Sequence, residues 1–522
     1  MIAFLAIALV LVAAGLAALI EWPHVRLDSS PTGLVQLRLQ SFAGHVTAVD
    51  VHEASGRTVP VRLDAGAVVP TGVLDAGEPL SLTVTVRRPG WAGWLVGHSE
   101  QRTFAVVTPR APAAERWLEP KLGTAVHLHF DVPVSVVWLR GQARERLTQP
   151  AAVVPLAVVA RGADSAGTVQ VAAAARPWER LSRPVRVSWF AARSPAQLLA
   201  EPRPGSAIGP VHSLTLTFAR PVDEALGGRL PTLRPASPGH WWRLDPHTLV
   251  FKPSGFGFGL GSTVQVRLPR PARLASNGVL EPQRVLGWRV LPGSTLRLQQ
   301  LLAQAGYLPV VWHPTADPPA SQRAELGWAV SPPAGRFSWR YANTPSELRA
   351  LWNPGSPNDL TRGAVMGFEL DHDMPTDGIA GPDVWRALLD DAIAGKRHTG
   401  GYTYVFVHRN IPQSLNLWHN GRVILTSPGN TGIPSAPTQL GTWPVFEHIP
   451  VGTMSGTNPD GTTYNDPGIQ WISYFHGGDA IHAFNRPSYG TPQSLGCVEL
   501  PLSAAAQVWP YTPIGTLVTI EN

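Results

Sequence analysis

Turn-forming residues constrain this chain more than any other feature of its sequence. Of its 522 residues, 50 are glycine and 52 are proline. Because proline interrupts helices and central strands and glycine favours turns, long uninterrupted elements are excluded over most of the chain. Between these residues lie short stretches in which apolar and polar side chains alternate, such as Val35–Leu39 and Leu80–Val86. We therefore expect a multidomain protein built mainly from short β-strands.

The charge and cysteine content narrow the classes of partner and site. Charged residues make up only 15% of the chain, the formal net charge is +6, and no run of Lys or Arg occurs. We therefore expect no nucleic-acid partner. The single cysteine, Cys497, excludes an intrachain disulfide and a zinc site built from several cysteines. We also expect a monomer that needs no cofactor and no metal.

The chain begins with an apolar run. Ile2–Ile20 is long enough to cross about 30 Å of hydrocarbon as a helix. It is longer than the core of a signal peptide, and no clear cleavage site precedes Glu21. We predict an uncleaved transmembrane helix within residues 1–28, with a cleaved signal as the alternative. Arg26 alone does not define its orientation.

Changes in the apolar pattern divide the rest of the chain. Short alternating stretches continue to about residue 292, and from Ser294 apolar residues recur at helical spacing up to Gly306. Further on, Gly381 and Pro382 precede a second helical pattern that contains Trp385. We predict β-sandwich modules at 31–108, 109–195 and 200–292, a small helical domain at 294–395 and a β-rich domain at 401–522.

The C-terminal region opens with a predicted meander. Stretches 404–408, 415–418 and 422–426 have strand character, and Asn420-Gly421 is a strong signal for a two-residue hairpin turn. Gly400 and Gly401 precede the meander, and we interpret them as a hinge.

Cys497 and His482 are the candidate reactive pair. A free thiol is only a few per cent ionised at neutral pH, so a cysteine nucleophile needs a base or a cation beside it. His482 follows a β-branched residue near the end of a predicted strand and precedes the cysteine by a short loop. Gly496 allows a sharp turn before the thiol, and Ser494 supplies a hydroxyl to that turn. An inert buried cysteine is the competing interpretation.

These residues resemble the catalytic domain of the L,D-transpeptidases of the YkuD type. The resemblance rests on Ile481-His482, the Ser494–Cys497 turn of sequence Ser-x-Gly-Cys and the closing strand 514–520. It extends back through the meander to about residue 404. It implies a peptidoglycan L,D-transpeptidase that forms 3→3 cross-links between stem peptides through a cysteine thioester.

The resemblance also implies roles for individual residues. Cys497 would be the nucleophile, His482 the general base and acid, and Ser494 would orient the imidazole through its hydroxyl or carbonyl. Backbone N–H groups of Gly496 and Cys497 would bind the oxyanion. Tyr474 and His476 would line the substrate pocket, with strand packing as the alternative for both.

Weaker resemblances concern the regions before the catalytic domain. Leu214–Phe218 followed by Pro221-Val222 resembles bacterial immunoglobulin-like domains, and Asp377–Pro382 resembles a helical peptidoglycan-binding domain. Together these imply a single-pass protein of the cell membrane with its domains outside, in the cell-wall space.

Other functions need to be weighed against the transpeptidase. The family usually has a polar residue at the position of Leu495 and Arg at the position of Glu499, which leaves a catalytically inactive wall-binding scaffold as the alternative function. A wall peptidase of the NlpC-like type would place the cysteine before the histidine. The spacing of His476, Asp479 and His482 invites a zinc hypothesis, but the glycine pair 477–478 makes this segment a turn.

Overall fold

The computed structural model describes residues 10–13, 24–40, 44–275, 282–319 and 321–522. The chain divides into two compact units. The first comprises 1–199, 217–221 and 271–283, and the second 200–216, 222–270 and 284–522. Of the anchor predicted at residues 2–20, all but 10–13 lies outside the described residues. Among the described residues, no helix is long and apolar enough to span a membrane.

The first module consists of two four-stranded sheets. Their strand orders are β1-β2-β6-β5 and β4-β3-β7-β8, and apolar residues from both sheets form one core that includes Val68 and Leu82. The elements are β1 (Val25–Asp28), β2 (Val35–Leu39), β3 (His45–Glu53), β4 (Thr58–Val59), β5 (Val61–Asp64), β6 (Ala67–Pro70), β7 (Pro79–Arg87), helix α1 (Gly90–Val96) and β8 (Ser99–Val107).

The second module differs from the sandwich that we predict for 109–195. Its described strands form one five-stranded sheet of order β11-β10-β12-β13-β9. The two longest strands bend at irregularities between His129 and Val136, so a single sheet covers its own core. The strands are β9 (Trp117–Leu118), β10 (Ala125–Leu139), β11 (Glu145–Val159), β12 (Ala166–Ala174) and β13 (Val185–Phe190), with a 3-10 helix at Gly162–Ser165.

The third β-rich region contains two four-stranded sheets. Their orders are β14-β16-β19-β18 and β15-β21-β20-β17. The elements are β14 (Leu198–Glu201), β15 (Ala207–Ile208), β16 (Leu214–Phe218), helix α2 (Val222–Leu226), β17 (Thr232–Arg234), β18 (Gly239–Asp245), β19 (Thr248–Pro253), β20 (Thr263–Arg273) and β21 (Pro282–Val290).

The helical region follows the sequence pattern closely. Its first helix ends at Gly306, which adopts a left-handed conformation, and its last begins with Pro382 in the first turn. The elements are α3 (Thr295–Ala305), β22 (Val310–Pro314), α4 (Gln322–Val330), β23 (Gly335–Trp339), α5 (Ser346–Ala350), α6 (Asp359–Asp371) and α7 (Pro382–Ala394).

The C-terminal domain is built on two sheets. The first has the order β26-β25-β24-β32-β27 and contains the predicted meander, with Asn420 and Gly421 in the turn. The second has the order β28-β29-β30-β31. The elements are β24 (Thr403–His408), β25 (Ser414–His419), β26 (Arg422–Pro428), β27 (Gly441–Pro444), β28 (Glu447–Thr457), β29 (Thr463–His476), β30 (Asp479–Ala483), β31 (Val498–Leu500), α8 (Leu502–Val508), a 3-10 helix (Trp509–Tyr511) and β32 (Leu517–Glu521).

The helical region and the C-terminal domain share one hydrophobic core. Phe368 of α6 belongs to the same buried cluster as Tyr404, Trp418 and Leu517 of the first sheet. The hinge glycines are flanked by contacts to both parts, since the His398 N–H donates to the Ala305 carbonyl at 2.7 Å and the Tyr402 N–H donates to Oδ1 of Asn420 at 2.9 Å. Residues 294–522 therefore form one continuous structural body within the second unit.

Candidate active site

Two adjacent parallel strands bring the candidate reactive residues together. β30 carries His482, and β31 begins directly after Cys497. Ile481 is paired with Val498 and His482 with Glu499, which places the end of the Ser494–Cys497 turn beside β30. The residues that are separated by a loop in the sequence therefore lie at the same edge of the second sheet.

The turn before the thiol is held by the Ser494 side chain. Its hydroxyl donates to the Cys497 carbonyl at 2.6 Å and accepts from the Gly496 N–H at 3.3 Å. Gly496 has φ +120°, and a Cβ there would lie 2.1 Å from Oδ1 of Asp479. This position therefore requires glycine for both its backbone conformation and its close approach to the carboxylate.

His482 is oriented by a backbone carbonyl. The residue is buried, and its Nδ1 lies 3.0 Å from the Ala483 carbonyl oxygen. Because a carbonyl oxygen can only accept, Nδ1 carries the proton, and Nε2 of the neutral ring is left as the basic nitrogen. Burial lowers the pKa of His482, so the ring is neutral at pH 7.

The Cys497 thiol is also held in its neutral form. Its Sγ lies 3.7 Å from the Gly478 carbonyl oxygen. Burial raises the pKa of Cys497 to about 12, and the charges of Asp479 and Glu499 act in the same direction, while a backbone hydrogen bond from Ala480 lowers it. A neutral thiol beside a buried neutral imidazole requires proton transfer during the reaction, because no thiolate is stored in the resting site.

Two of the predicted roles are corrected by these contacts. The imidazole is not held by Ser494, because Nδ1 of His482 lies 3.0 Å from the Ala483 carbonyl oxygen and the Ser494 hydroxyl donates to the Cys497 carbonyl. The Gly496 N–H donates to the Ser494 hydroxyl, so in this arrangement it does not point to where an oxyanion would bind. The sequence did not reveal these contacts because they depend on how the loop folds back on itself.

The acidic residue next to the cysteine is neutralised by a partner. Arg486 donates to both carboxylate oxygens of Glu499, through Nε at 2.8 Å and through Nη2 at 2.7 Å. Its guanidinium also lies 4.5 Å from the ring centroid of Phe484 and donates to the Gln493 carbonyl at 3.2 Å. The negative charge of Glu499 is therefore compensated by a cation from the preceding loop.

Tyr474 and His476 lie on the strand next to His482. Tyr474 packs in the same partly buried cluster as Cys497, and burial raises its pKa. The ring of His476 packs against Trp443, and its Nδ1 lies 3.6 Å from Oδ2 of Asp479. In the described part of the chain, no group of three or more His, Cys, Asp or Glu side chains is arranged to hold a metal.

The structure adds three groups that sequence reasoning missed. Burial raises the pKa of Tyr464 on β29, and the thiolate form of Cys497 would raise it further. The Ala483 carbonyl orients the imidazole, and Arg486 pairs with Glu499. A carbonyl carries no sequence signal, but the unusual Glu499 could have prompted a search for a nearby cation.

Two clefts lie away from the thiol, at the junction with the helical region. One is lined by Tyr307, Gly363, Gly515 and neighbouring residues. The other is lined by His372, Asp391 and Lys396, among others; Asp391 lies 2.8 Å from Nε2 of His372 and forms an ion pair with Lys396. These clefts belong to the junction and do not reach Cys497.

Comparison with known proteins supports the assignment of the C-terminal domain. Residues 402–520 match the sequence model of the YkuD family, described as the L,D-transpeptidase catalytic domain. No curated protein sequence matches the chain.

The solved structures with similarity to the chain include several L,D-transpeptidases. The catalytic domain of an E. faecium L,D-transpeptidase is 27% identical, covers 24% of this chain and 100% of its own, and has a TM-score of 0.22. An L,D-transpeptidase from Mycobacterium smegmatis is 14% identical, covers 63% of this chain and 100% of its own, and has a TM-score of 0.22. The assignment therefore rests on the family match: residues 402–520 form an L,D-transpeptidase catalytic domain of the YkuD family.

Proposed function

We propose that this protein is a peptidoglycan L,D-transpeptidase that forms 3→3 cross-links through a thioester on Cys497. The observation that carries the proposal is the pairing of β30 with β31, which brings the thiol beside a histidine whose Nδ1 is fixed on the Ala483 carbonyl. That arrangement leaves Nε2 available as a base, as a cysteine acyltransferase requires.

The proposed reaction has two steps. His482 Nε2 takes the Cys497 proton as sulfur attacks the carbonyl carbon of the third stem residue. The C–N bond to the terminal D-alanine then breaks, and its amine leaves with the proton from the imidazolium. In the second step, the amine of a neighbouring stem attacks the thioester and gives a proton to His482, and the C–S bond breaks to return the thiol.

The remaining groups have supporting roles in this proposal. The backbone N–H of Cys497 is our candidate for the oxyanion donor, because the Gly496 N–H is directed at Ser494. Tyr474 would lie beside the acyl group, since it packs in the same partly buried cluster as Cys497. The Arg486–Glu499 pair removes one of the two reasons for considering an inactive scaffold.

We further propose that the catalytic domain acts outside the cell membrane, with residues 2–20 as the anchor. The likeness of residues 200–292 to immunoglobulin-like domains and of residues 294–395 to a peptidoglycan-binding domain is part of the same proposal. In this proposal, the β-rich modules hold the catalytic domain within the cell wall.

Intact-mass spectrometry of the full chain in detergent with a carbapenem tests the nucleophile. We expect a covalent adduct on the wild type, none on Cys497→Ala, and formation slowed by about 10² to 10⁴-fold on His482→Ala. His408→Ala is the control, because His408 pairs with Glu521 on the first sheet and lies outside the site.

Stem peptides test the reaction itself. With a purified tetrapeptide donor and an acceptor stem, we expect release of D-alanine and a dimer whose mass and fragmentation show a 3→3 link. A folded wild type that forms neither adduct nor dimer would overturn the proposal and favour a wall-binding scaffold.

A further inference from the structure

The first module exposes two tryptophans at the end of a hairpin. Helix α1 connects β7 to β8, and its Trp91 and Trp94 are 60% and 75% exposed. Residues three apart lie on neighbouring positions of a helix surface, so the two indoles belong to one patch. Large exposed aromatic patches on a soluble domain mark contact sites.

The hairpin beneath this patch is tightly closed. The Arg88 N–H donates to the His98 carbonyl at 2.9 Å. Its buried side chain pairs with Glu100 at 2.9 Å and contacts the Ser99 carbonyl at 3.3 Å. The tip is therefore held on a fixed support, which lowers the entropy that is lost on binding.

Strand register places this tip at the end of the module where the chain enters. Val25 is paired with Leu39 on β2, and a short connection leads from Leu39 to His45, which is paired with Arg87 at the base of the tip. Val25 and the tip therefore lie at the same end. Gly72 lies at the other end, because β6 runs antiparallel to β2 and ends before it.

The apolar run is close to this end in the sequence. Only four residues lie between Ile20 and Val25, and even a fully extended chain of these five residue steps reaches only about 17 Å. A membrane that contains residues 2–20 would therefore lie within about 17 Å of the end of the module that carries the tip.

We propose that the tip Gly90–Val96 rests in the headgroup region of the membrane that anchors residues 2–20, with Trp91 and Trp94 at the interface. The inference rests on the predicted anchor and goes beyond the proposed catalysis. Tryptophan is enriched at membrane interfaces, where its apolar ring and its N–H are both accommodated. The exposed Arg87 at the base of the tip adds a cation that favours anionic headgroups.

Site-specific labelling of the full chain in lipid vesicles tests the proposal. In a Cys497→Ser background, Gly90→Cys carries a polarity-sensitive fluorophore at the tip, and Gly72→Cys carries it at the opposite end. Both positions suit the probe, because a Cβ at either meets nothing within 4 Å and neither glycine has a positive φ. The vesicles contain phosphatidylglycerol and a lipid with a nitroxide near its headgroup.

The expected result is a shift to shorter wavelength and a loss of intensity at position 90, with neither change at position 72. Adding Trp91→Ser and Trp94→Ser should abolish both changes at position 90. Failure of the chain to float with vesicles would overturn both the anchor and the tip contact. Flotation with equal signals at 90 and 72 would overturn the tip contact alone. A wavelength shift without nitroxide quenching would show that protein covers the tip, which also overturns the proposal.

Discussion

At neutral pH, burial favours the uncharged forms of both Cys497 and His482. It raises the pKa of the thiol to about 12 and lowers that of the imidazole, and no cation lies between them among the contacts described for the site. The pair therefore differs from cysteine enzymes that store a thiolate next to an imidazolium. In this site, the proton must move as the sulfur attacks, with Nε2 of His482 as its acceptor.

The pH profile of acylation follows from these two shifts. The rate of carbapenem adduct formation requires neutral His482, so it should fall about tenfold per pH unit below the imidazole pKa, which lies under its ordinary value of 6.5. Between about pH 7 and 9 the rate should be flat, because the thiol titrates only near 12. Stopped-flow or quenched mass spectrometry at each pH measures the rate of adduct formation.

His482→Ala provides the contrast for that profile. Without the base, only the thiolate reacts, and its fraction rises about tenfold per pH unit far below the thiol pKa. We expect the residual rate of this variant to climb steadily from pH 7 to 9. A flat profile in the variant, or a bell-shaped profile in the wild type, would show that the thiol is ionised in the resting site.

At this scale, the sequence identifies the reactive side chains but not the groups that position them. Cys497 and His482 are recognisable because the chemistry needs those residue types and few alternatives exist. Every residue has a backbone carbonyl, so the sequence does not single out that of Ala483. The Ser494 hydroxyl could have reached several partners. Only the folded loop determines that it holds the Cys497 carbonyl.

Among the elements, β31 and the loop before it depend on one ion pair. The Glu499 side chain is only 5% exposed, and Arg486 contacts both of its oxygens. A buried carboxylate this close to the thiol would otherwise raise the thiol pKa further and carry an uncompensated charge. The pair therefore ties the loop to the strand and limits the electrostatic cost of Glu499.

Charge exchange tests this role. Arg486→Glu or Glu499→Arg leaves like charges buried together, and each should lower the free energy of unfolding by about 3–5 kcal/mol. The double variant restores opposite charges and should recover part of that loss and part of the acylation rate. Urea unfolding measures the free energy of unfolding, and adduct kinetics measure the acylation rate. Arg422→Glu, at an exposed position, is the control. Losses that simply add in the double variant would contradict the coupling.

Helix α6 contains a second buried carboxylate with a measurable signature. Burial raises the pKa of Glu369 from 4.5 to about 7, although the Gly378 N–H donates to it at 2.8 Å. Between these two pH values the folded chain binds more protons than the unfolded chain, so this group makes stability fall as pH rises to about 7. Above that pH its contribution is constant.

Glu369→Gln should remove the contribution of this carboxyl group to the pH dependence of stability. The amide keeps an acceptor for the Gly378 N–H but does not titrate, so the variant's stability should vary less with pH between about 4.5 and 7. Thermal unfolding across that range measures the difference, and Glu447→Gln on exposed β28 is the control. Parallel curves for wild type and Glu369→Gln would contradict the assignment.

Elements were predictable where local pattern determines them. The Asn420-Gly421 turn, the helix that ends at Gly306 and the helix that begins at Pro382 all rest on backbone preferences of single residues. The module at 109–195 was mispredicted because alternation indicates strands but not how many sheets they form. Irregularities within β10 and β11 bend one sheet around the core instead.

For the molecule as a whole, the main feature is a glycine contact between the helical region and the catalytic domain. Gly515 packs against Gly363 and Gly367 of α6, and a Cβ at 515 would lie 2.5 Å from the Gly363 oxygen and 2.7 Å from the Gly367 nitrogen. Gly515 also has φ +92°, which disfavours other residues. We refer to these three residues as the glycine contact.

Gly515→Ala should open this contact. The clash is with backbone atoms and the conformation is strained, so we expect a loss of about 2 kcal/mol or more in the free energy of unfolding. Hydrogen exchange in α6 should also accelerate. Gly287→Ala in β21 is the control, since a Cβ there meets nothing within 4 Å. Unchanged exchange in α6 would show that the contact does not hold the two parts together.

The contact between the helical region and the catalytic domain could not be predicted from the sequence. The glycine pair 400–401 suggests a flexible hinge, and nothing in the spacing of Gly363, Gly367 and Gly515 indicates that they meet. Tertiary contact alone reveals that Tyr404 and Trp418 are buried against the helical region.

The glycine contact also bears on how such proteins can be recombined. A crossover between residues 395 and 401 separates α6 from the loop that fits it, although the break looks like a natural domain boundary in the sequence. Chimeras that exchange the catalytic domain therefore need to carry the helical region with it, because a side chain at position 515 would clash with the backbone of α6.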